Sequence, residues 1–222
     1  MEETIAEYPT VNLKFVLPND GMTRRHLDTV MNELYNENEY GELDVKGKTV
    51  LDIGAYLGDT AIYFARKGAA RVISLEPMAT FDYIQKNVAM NGVPPGIVFP
   101  VRAYVGFKLA GIRTSIVNNG GSRIVPGADP VKHYSLGELI KEFEIPKGSI
   151  MKIDAEGGEY HFFASATPEE LRHFSQISAE VHWIPGNDKD APERKLAACG
   201  FEVSSRREYS GTWILTATVI AQ

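Results

Sequence analysis

The sequence contains a single cysteine, Cys199, so an internal disulfide framework is excluded. Its context, "LAACGF", reads as an apolar helix end around a packed thiol, and so little cysteine suits a reducing compartment. No run approaches the ~20 uninterrupted apolar residues of a membrane-spanning helix. The opening "MEETIAEYP" lacks the basic and apolar regions of a signal peptide. The expected location is cytoplasmic, away from membranes. Positive charge is also scarce: 23 Lys and Arg face 29 Asp and Glu, for a net charge of −6. Nucleic acid is therefore not an expected partner, because broad contact with phosphates needs clustered cations. Internal repeats and low-complexity tracts are absent, and nothing in the sequence fixes an oligomeric state.

What is present is a chain of 222 residues, 44% hydrophobic, enough for one substantial core. It reads as a single domain over 1–222. Residues 1–45 form a strand-and-helix appendage, 46–222 the core, and 108–133 an insertion on the substrate side. "VNLKFVL" reads as a strand, "PNDG" as a turn, and Leu27, Val30, Met31, Leu34 and Tyr35 recur at helical spacing. That helix is placed to cover a site or a sheet edge.

From Lys48 strands and helices alternate. "KTVLDI", "RVISLE", "IVFPVRAYVG", "SIMKID" and "QISAEVHW" read as strands, with Pro100 marking the third as an edge or a bulge. Between them "DTAIYFARKG" closes at Gly68, and "FDYIQKNVAM" is capped by Thr80 and ended by Asn91 and Gly92. Ser135 and Glu138 form a capping box for "LGELIKEF", and "APERKLAACG" ends at Gly200. "FEVSSRRE" and "TWILTATVIA" then follow with no helix between them and read as a hairpin. The expected fold is α/β: a doubly wound, mainly parallel sheet whose last strand is reversed. Residues 108–133 are irregular, with β-like pieces "TSIV" and "SRIV", and are expected to wall the acceptor pocket.

Ligands of open α/β sheets bind beyond the carboxyl ends of the strands. The first such end is "VLDIGAYLGDT", where Asp52 precedes a turn carrying Gly54 and Gly58. An acid at that mouth repels a diphosphate, so a ligand with a positive charge is expected instead. The second strand ends in Glu76, placed to accept both hydroxyls of a ribose. An amine, a sulfonium and a ribose without phosphate together describe S-adenosyl-L-methionine. The plainer readings are Asp52 as a cap for the following helix and Glu76 as a solvated strand end.

The chain resembles class I S-adenosylmethionine-dependent methyltransferases, and among them the FkbM-type family. The resemblance rests on "VLDIGAYLGDTAIYFA", "VISLEPMATFDYIQKNVAMNG" and "SLGELIKEFEIPKGSIMKIDAEGGEYHFF" and covers roughly residues 48–183. It implies a seven-stranded Rossmann-like sheet and methyl transfer to oxygen, with a small-molecule or carbohydrate acceptor. It also implies cofactor contacts from Asp52, Gly54, Gly58 and Glu76. Tyr56, Asp59, Pro77 and Asp154 flank these positions. Tyr56 departs from the glycine often found there, and Ala103, beside Arg102 and Tyr104, is assigned by position alone.

An alcohol acceptor must lose its proton, so a base belongs near the methyl group. "KIDAEGGEYH" supplies Asp154, Glu156, Glu159 and His161, and "AEVHW" supplies Glu180 and His182. His182 is the expected base because its unperturbed pKa lies near neutrality, with Asp154 or Glu180 to orient the ring and Asp154 or Glu156 as the substitute base. A histidine packed beside Trp183 is the plainer reading. No metal is assigned, although the carboxylates of this segment are oxygen donors of the kind that hold Mg²⁺ or Ca²⁺. His133 and His173 are read as surface residues. The competing functions are a nicotinamide-dependent oxidoreductase and a catalytically silent cofactor-binding domain.

Overall fold

The computed structural model describes residues 2–106, 112–115, 123–126, 131–207 and 211–220. The chain opens with an antiparallel pair, β1 (Glu3–Tyr8) and β2 (Leu13–Pro18). β1 is absent from the sequence reading because "ETIAEY" buries only Ala6 and so carries no apolar alternation. Asp20 then caps α1 (Gly21–Tyr35), accepting from the backbone N–H groups of Met22 and Thr23.

The main sheet begins with β3 (Thr49–Ile53), α2 (Asp59–Arg66), β4 (Arg71–Leu75), α3 (Phe81–Met90) and β5 (Val98–Val101). The expected long third strand is two. After Val101 the chain leaves the sheet, and β6 (Ala103–Val105) pairs instead with β9 (Lys132–Tyr134). Between them β7 (Ile112–Ser115) and β8 (Arg123–Pro126) form an antiparallel pair. The rest of the expected insertion, 108–111, 116–122 and 127–130, lies outside the described residues. The sheet resumes with α4 (Leu136–Glu142), β10 (Ser149–Asp154), α5 (Glu159–Ser165), α6 (Pro168–Leu171) and β11 (Phe174–His182). It ends with α7 (Ala191–Ala198), β12 (Phe201–Arg207) and β13 (Thr212–Val219).

Seven strands stand in the order β12-β13-β11-β10-β3-β4-β5. β13 slots between β11 and β12, antiparallel to both, and the other pairs among β3, β4, β5, β10 and β11 are parallel. The fold is thus the expected Rossmann-like α/β sheet with a reversed last strand. β5, with Pro100, is the edge. Strand order reverses at β3 and β10, where a ligand crevice opens in such sheets.

Alternate residues of each strand feed two cores. One packs Leu51, Ile53, Met151 and Ile153 against Phe162, Leu139 and Leu196, and includes the buried Cys199. The other packs Val50, Val72 and Ile150 against α1, α2 and the β1–β2 pair through Leu27, Met31, Phe64 and Phe15. Ser135 and Glu138 form the expected capping box. Thr80 does not cap α3: its backbone is already helical and its side chain takes no cap hydrogen bond. His133 and His173 are half-buried rather than surface residues, each with a ring nitrogen against a carbonyl oxygen, of Gly106 and Ile145 respectively.

Candidate active site

Period-two alternation sets a polar row on the second face of the sheet. The register pairs Ser74 with Asp52, Asp52 with Lys152, and Lys152 with Ser178. Asp52 and Lys152 are both fully buried, with Lys152 Nζ 3.4 Å from Asp52 Oδ1. The hydroxyl of Thr60 donates to both Asp52 oxygens and that of Ser74 to one. The sequence reading put Asp52 open at the mouth of the turn, facing a ligand's cation. The structure gives it a cation from the chain itself, behind the turn.

Lys152 also donates to the backbone oxygens of Gly54 at 2.6 Å and Ile53 at 3.3 Å, and lies 3.7 Å from Asp154 Oδ2. Burial pulls its pKa down, but Asp52, Asp154, Asp59 and Glu39 outweigh that, and the ammonium stays above its ordinary range. Asp52 is pushed up by burial, against Lys152 and its hydroxyl donors. Nothing in the sequence marked Lys152 beyond its place in a strand. Its signal was a lysine amid an apolar β10 segment, two residues before Asp154.

The glycine turn is tight for a geometric reason. Gly54 has φ +82°, and a β-carbon there would lie 1.6 Å from the Asp154 carbonyl oxygen. Tyr56, at φ +46°, occupies the left-handed region without being glycine. Its hydroxyl donates to the Thr23 backbone oxygen, and its ring meets His26 edge-on at 4.7 Å. The turn is thereby held against α1. His26 was missed: no motif surrounds it. Asp59 is buried at the start of α2, and burial raises its pKa to about 7.

Glu76 lies at the end of β4. One oxygen accepts from the Tyr56 N–H at 2.9 Å and the other from the Met78 N–H at 2.7 Å. Burial pushes its pKa up to about 7 against the pull of those donors. It is therefore not a solvated strand end. Pro77 beside it is half-buried. Ala103 is fully buried, in the first core.

The ends of β10 and β11 bring the remaining candidates together. Asp154 stands directly opposite Glu180, and His182 follows two residues on along the same face. One ligand atom from each of Asp154, Glu180 and His182 lies within 4.8 Å of the others. His182 Nε2 is 3.5 Å from Glu156 Oε2 and 3.7 Å from Glu180 Oε1, and Nδ1 is 3.5 Å from Glu159 Oε1. Glu159 is fully buried and accepts from the N–H groups of Ala155 and Gly157, which fixes the turn after β10. Glu156, in that turn, has φ +50°.

Burial lowers His182, but Glu159, Asp154 and Glu180 overcome it and push the ring up to about 10. These carboxylates favour the protonated ring, so the environment of His182 is far from that of a free imidazole. Burial and Asp154 raise both Glu156 and Glu180, with His182 opposing in each case.

The methyltransferase FkbM domain matches residues 52–203. The hexuronic acid methyltransferase AglP of Haloferax volcanii is 29% identical over 136 residues, covering 59% of this chain and 54% of that protein. The chain thus spans about half the length of this curated relative. Among solved structures, the Bacillus cereus O-methyltransferase in complex with SAH has a TM-score of 0.53 at 14% identity, covering 91% of this chain and 92% of that one. A Clostridium thermocellum rRNA methylase, so titled as putative, has a TM-score of 0.54 at 12% identity, covering 86% and 97%. At these identities the two structures bear on the fold alone. The match over residues 52–203, which takes in both the glycine turn and the β10–β11 cluster, identifies the chain as a member of the FkbM family of S-adenosylmethionine-dependent methyltransferases.

Proposed function

We propose that this chain transfers a methyl group to a hydroxyl of a small molecule, with a carbohydrate, and a sugar acid first, as the acceptor. The observation that carries the reading is the convergence of Asp154, Glu156, Glu180 and His182 beside the glycine turn. A hydroxyl acceptor needs a group to take its proton, and an alternative acceptor without one does not. The name of the Haloferax volcanii relative supports the carbohydrate class. The net charge of −6 argues against nucleic acid.

The residues present fit the cofactor. Glu76 offers a carboxylate whose two oxygens each take one backbone N–H, leaving lone pairs for two ribose hydroxyls. Gly54, Tyr56 and Gly58 shape the adjoining turn, Asp52 sets it through Thr60 and Lys152, and Asp59, Pro77 and Asp154 border it. When bound, the cofactor supplies an electrophilic methyl group on a sulfonium. The chain's part is to align the acceptor oxygen and remove its proton. Glu156 is the group assigned to that proton. It is partly exposed in the crevice, its strained backbone matches a functional position, and His182 holds its carboxylate from 3.5 Å. His182 acts as a positioning residue, and Asp154 borders both the turn and the cluster.

Incubation with S-adenosylmethionine and a panel of glucuronate and galacturonate glycosides, beside neutral sugars, tests the reading. A gain of one methyl group by mass spectrometry on a sugar hydroxyl, with matching release of S-adenosylhomocysteine, is expected. Turnover confined to amines or RNA defeats it.

The role of Glu76 has its own test. Glu76→Ala should weaken S-adenosylhomocysteine binding by about 1.5–3 kcal/mol per hydrogen bond lost. Because its pKa stands at about 7, the wild-type protein should also bind more weakly as pH falls from 8 to 6. Glu76→Gln should flatten that dependence. Calorimetry that finds the same slope in both proteins removes Glu76 from the ribose.

A further inference from the structure

On the second face of the sheet two carboxylates, Asp154 and Glu180, sit directly opposite on neighbouring strands. Like charges in that position repel and destabilise a sheet. His182 adds a third metal-binding side chain on the same face, two residues beyond Glu180. Asp154 turns one oxygen, Oδ2, toward Lys152, while its Oδ1 is buried without a hydrogen-bond partner among the described residues.

A second observation lies on the segment after α1. Glu39 is only 7% exposed, and its Oε1 is also buried without a hydrogen-bond partner among the described residues. The charge of Asp154 bears on Glu39, and that of Glu39 on Glu180, so the three acids raise one another's cost of ionisation. Arg206, at the far side of the sheet, holds the Glu39 backbone oxygen at 3.4 Å and so fixes this segment over the strands. Counting Glu156 and the fully buried Glu159, five carboxylates share one ammonium, Lys152, and the imidazole of His182. Lys152 is committed largely to Asp52 and two carbonyl groups. Unpaired buried acids are costly, and a cation coordinated among them removes the cost.

We propose that Asp154, Glu180 and His182, backed by Glu39, bind one divalent cation of the Mg²⁺ or Mn²⁺ class. Carboxylate oxygens select hard divalent ions, and one imidazole among them tilts the choice toward Mn²⁺ over Ca²⁺. The ion sits at the ends of β10 and β11, on the acceptor side of the glycine turn. It bridges the two opposed strands and offers free positions to acceptor oxygens. The site does not rest on the identity of the methyl acceptor.

Mn²⁺ titrated into the protein alone, without cofactor or acceptor, is followed by the electron paramagnetic resonance of the free ion. One Mn²⁺ per chain is expected, displaced by excess Mg²⁺. Glu180→Gln and His182→Ala should each weaken binding roughly tenfold or more. Asp188→Asn, at a surface acid paired with Arg194, should leave it unchanged. Far-UV circular dichroism and urea midpoints confirm that each variant is folded, and Asp154→Asn serves if one is not. No stoichiometric Mn²⁺ at millimolar concentration overturns the site. So does binding that the cluster variants leave intact, or variants that alter only S-adenosylhomocysteine affinity.

Discussion

Lys152→Met is expected to cost about 3–5 kcal/mol of stability, the penalty for leaving a buried acid without its partner. Asp52 is fully buried and keeps only the hydroxyls of Thr60 and Ser74 when the ammonium is removed. Met matches the length of the lysine stem, so cavity formation adds little. The lost bonds to the Ile53 and Gly54 carbonyls also loosen the glycine turn, so S-adenosylhomocysteine affinity should fall as well. Pairing the change with Asp52→Asn removes the orphaned charge and should recover much of the stability. Urea denaturation of the three proteins reads this directly. A loss below about 1 kcal/mol in the single variant would mean that Asp52 takes up a proton at no real cost, leaving Lys152 a packing residue.

Glu156→Gln is expected to reduce turnover by ~10² to 10⁴, the usual worth of a general base, while S-adenosylhomocysteine affinity stays the same. The amide keeps the shape and the contact toward His182 but cannot take a proton. His182→Ala should also lower turnover, since it frees the Glu156 carboxylate from its 3.5 Å neighbour. The two differ in rescue. His182→Gln keeps a donor toward Glu156 and should recover part of the rate, whereas no neutral residue replaces a base at position 156. Near-normal turnover of Glu156→Gln on the accepted sugar would move the proton to Asp154 or His182.

Much of the architecture was legible because β/α alternation leaves a periodic trace. Gly68, Gly92 and Gly200 end their helices with φ between +67° and +89°, and Ser135 and Glu138 cap α4 as the spacing foretold. Pro100, which lacks an N–H, fell on the edge strand β5, where no outer neighbour needs that donor. The exceptions have local causes. β1 pairs through backbone groups that no side-chain pattern announces. Thr80 adopts helical angles, so its hydroxyl cannot serve as a cap.

The sequence by itself determined the strand ends, the acids standing at them and the family motif, because these depend on short-range spacing. Only the tertiary structure decided what those acids meet. Asp52 and Lys152 are 100 residues apart, yet cross-strand register makes them neighbours and turns an expected ligand contact into an internal ion pair. His26 reaches the glycine turn because α1 folds back against it, a placement that no local pattern encodes. His182 looked like an ordinary base from its side chain alone. The carboxylates gathered around it from β10, β11 and α5 push its pKa up, because charge acts through space and not along the chain.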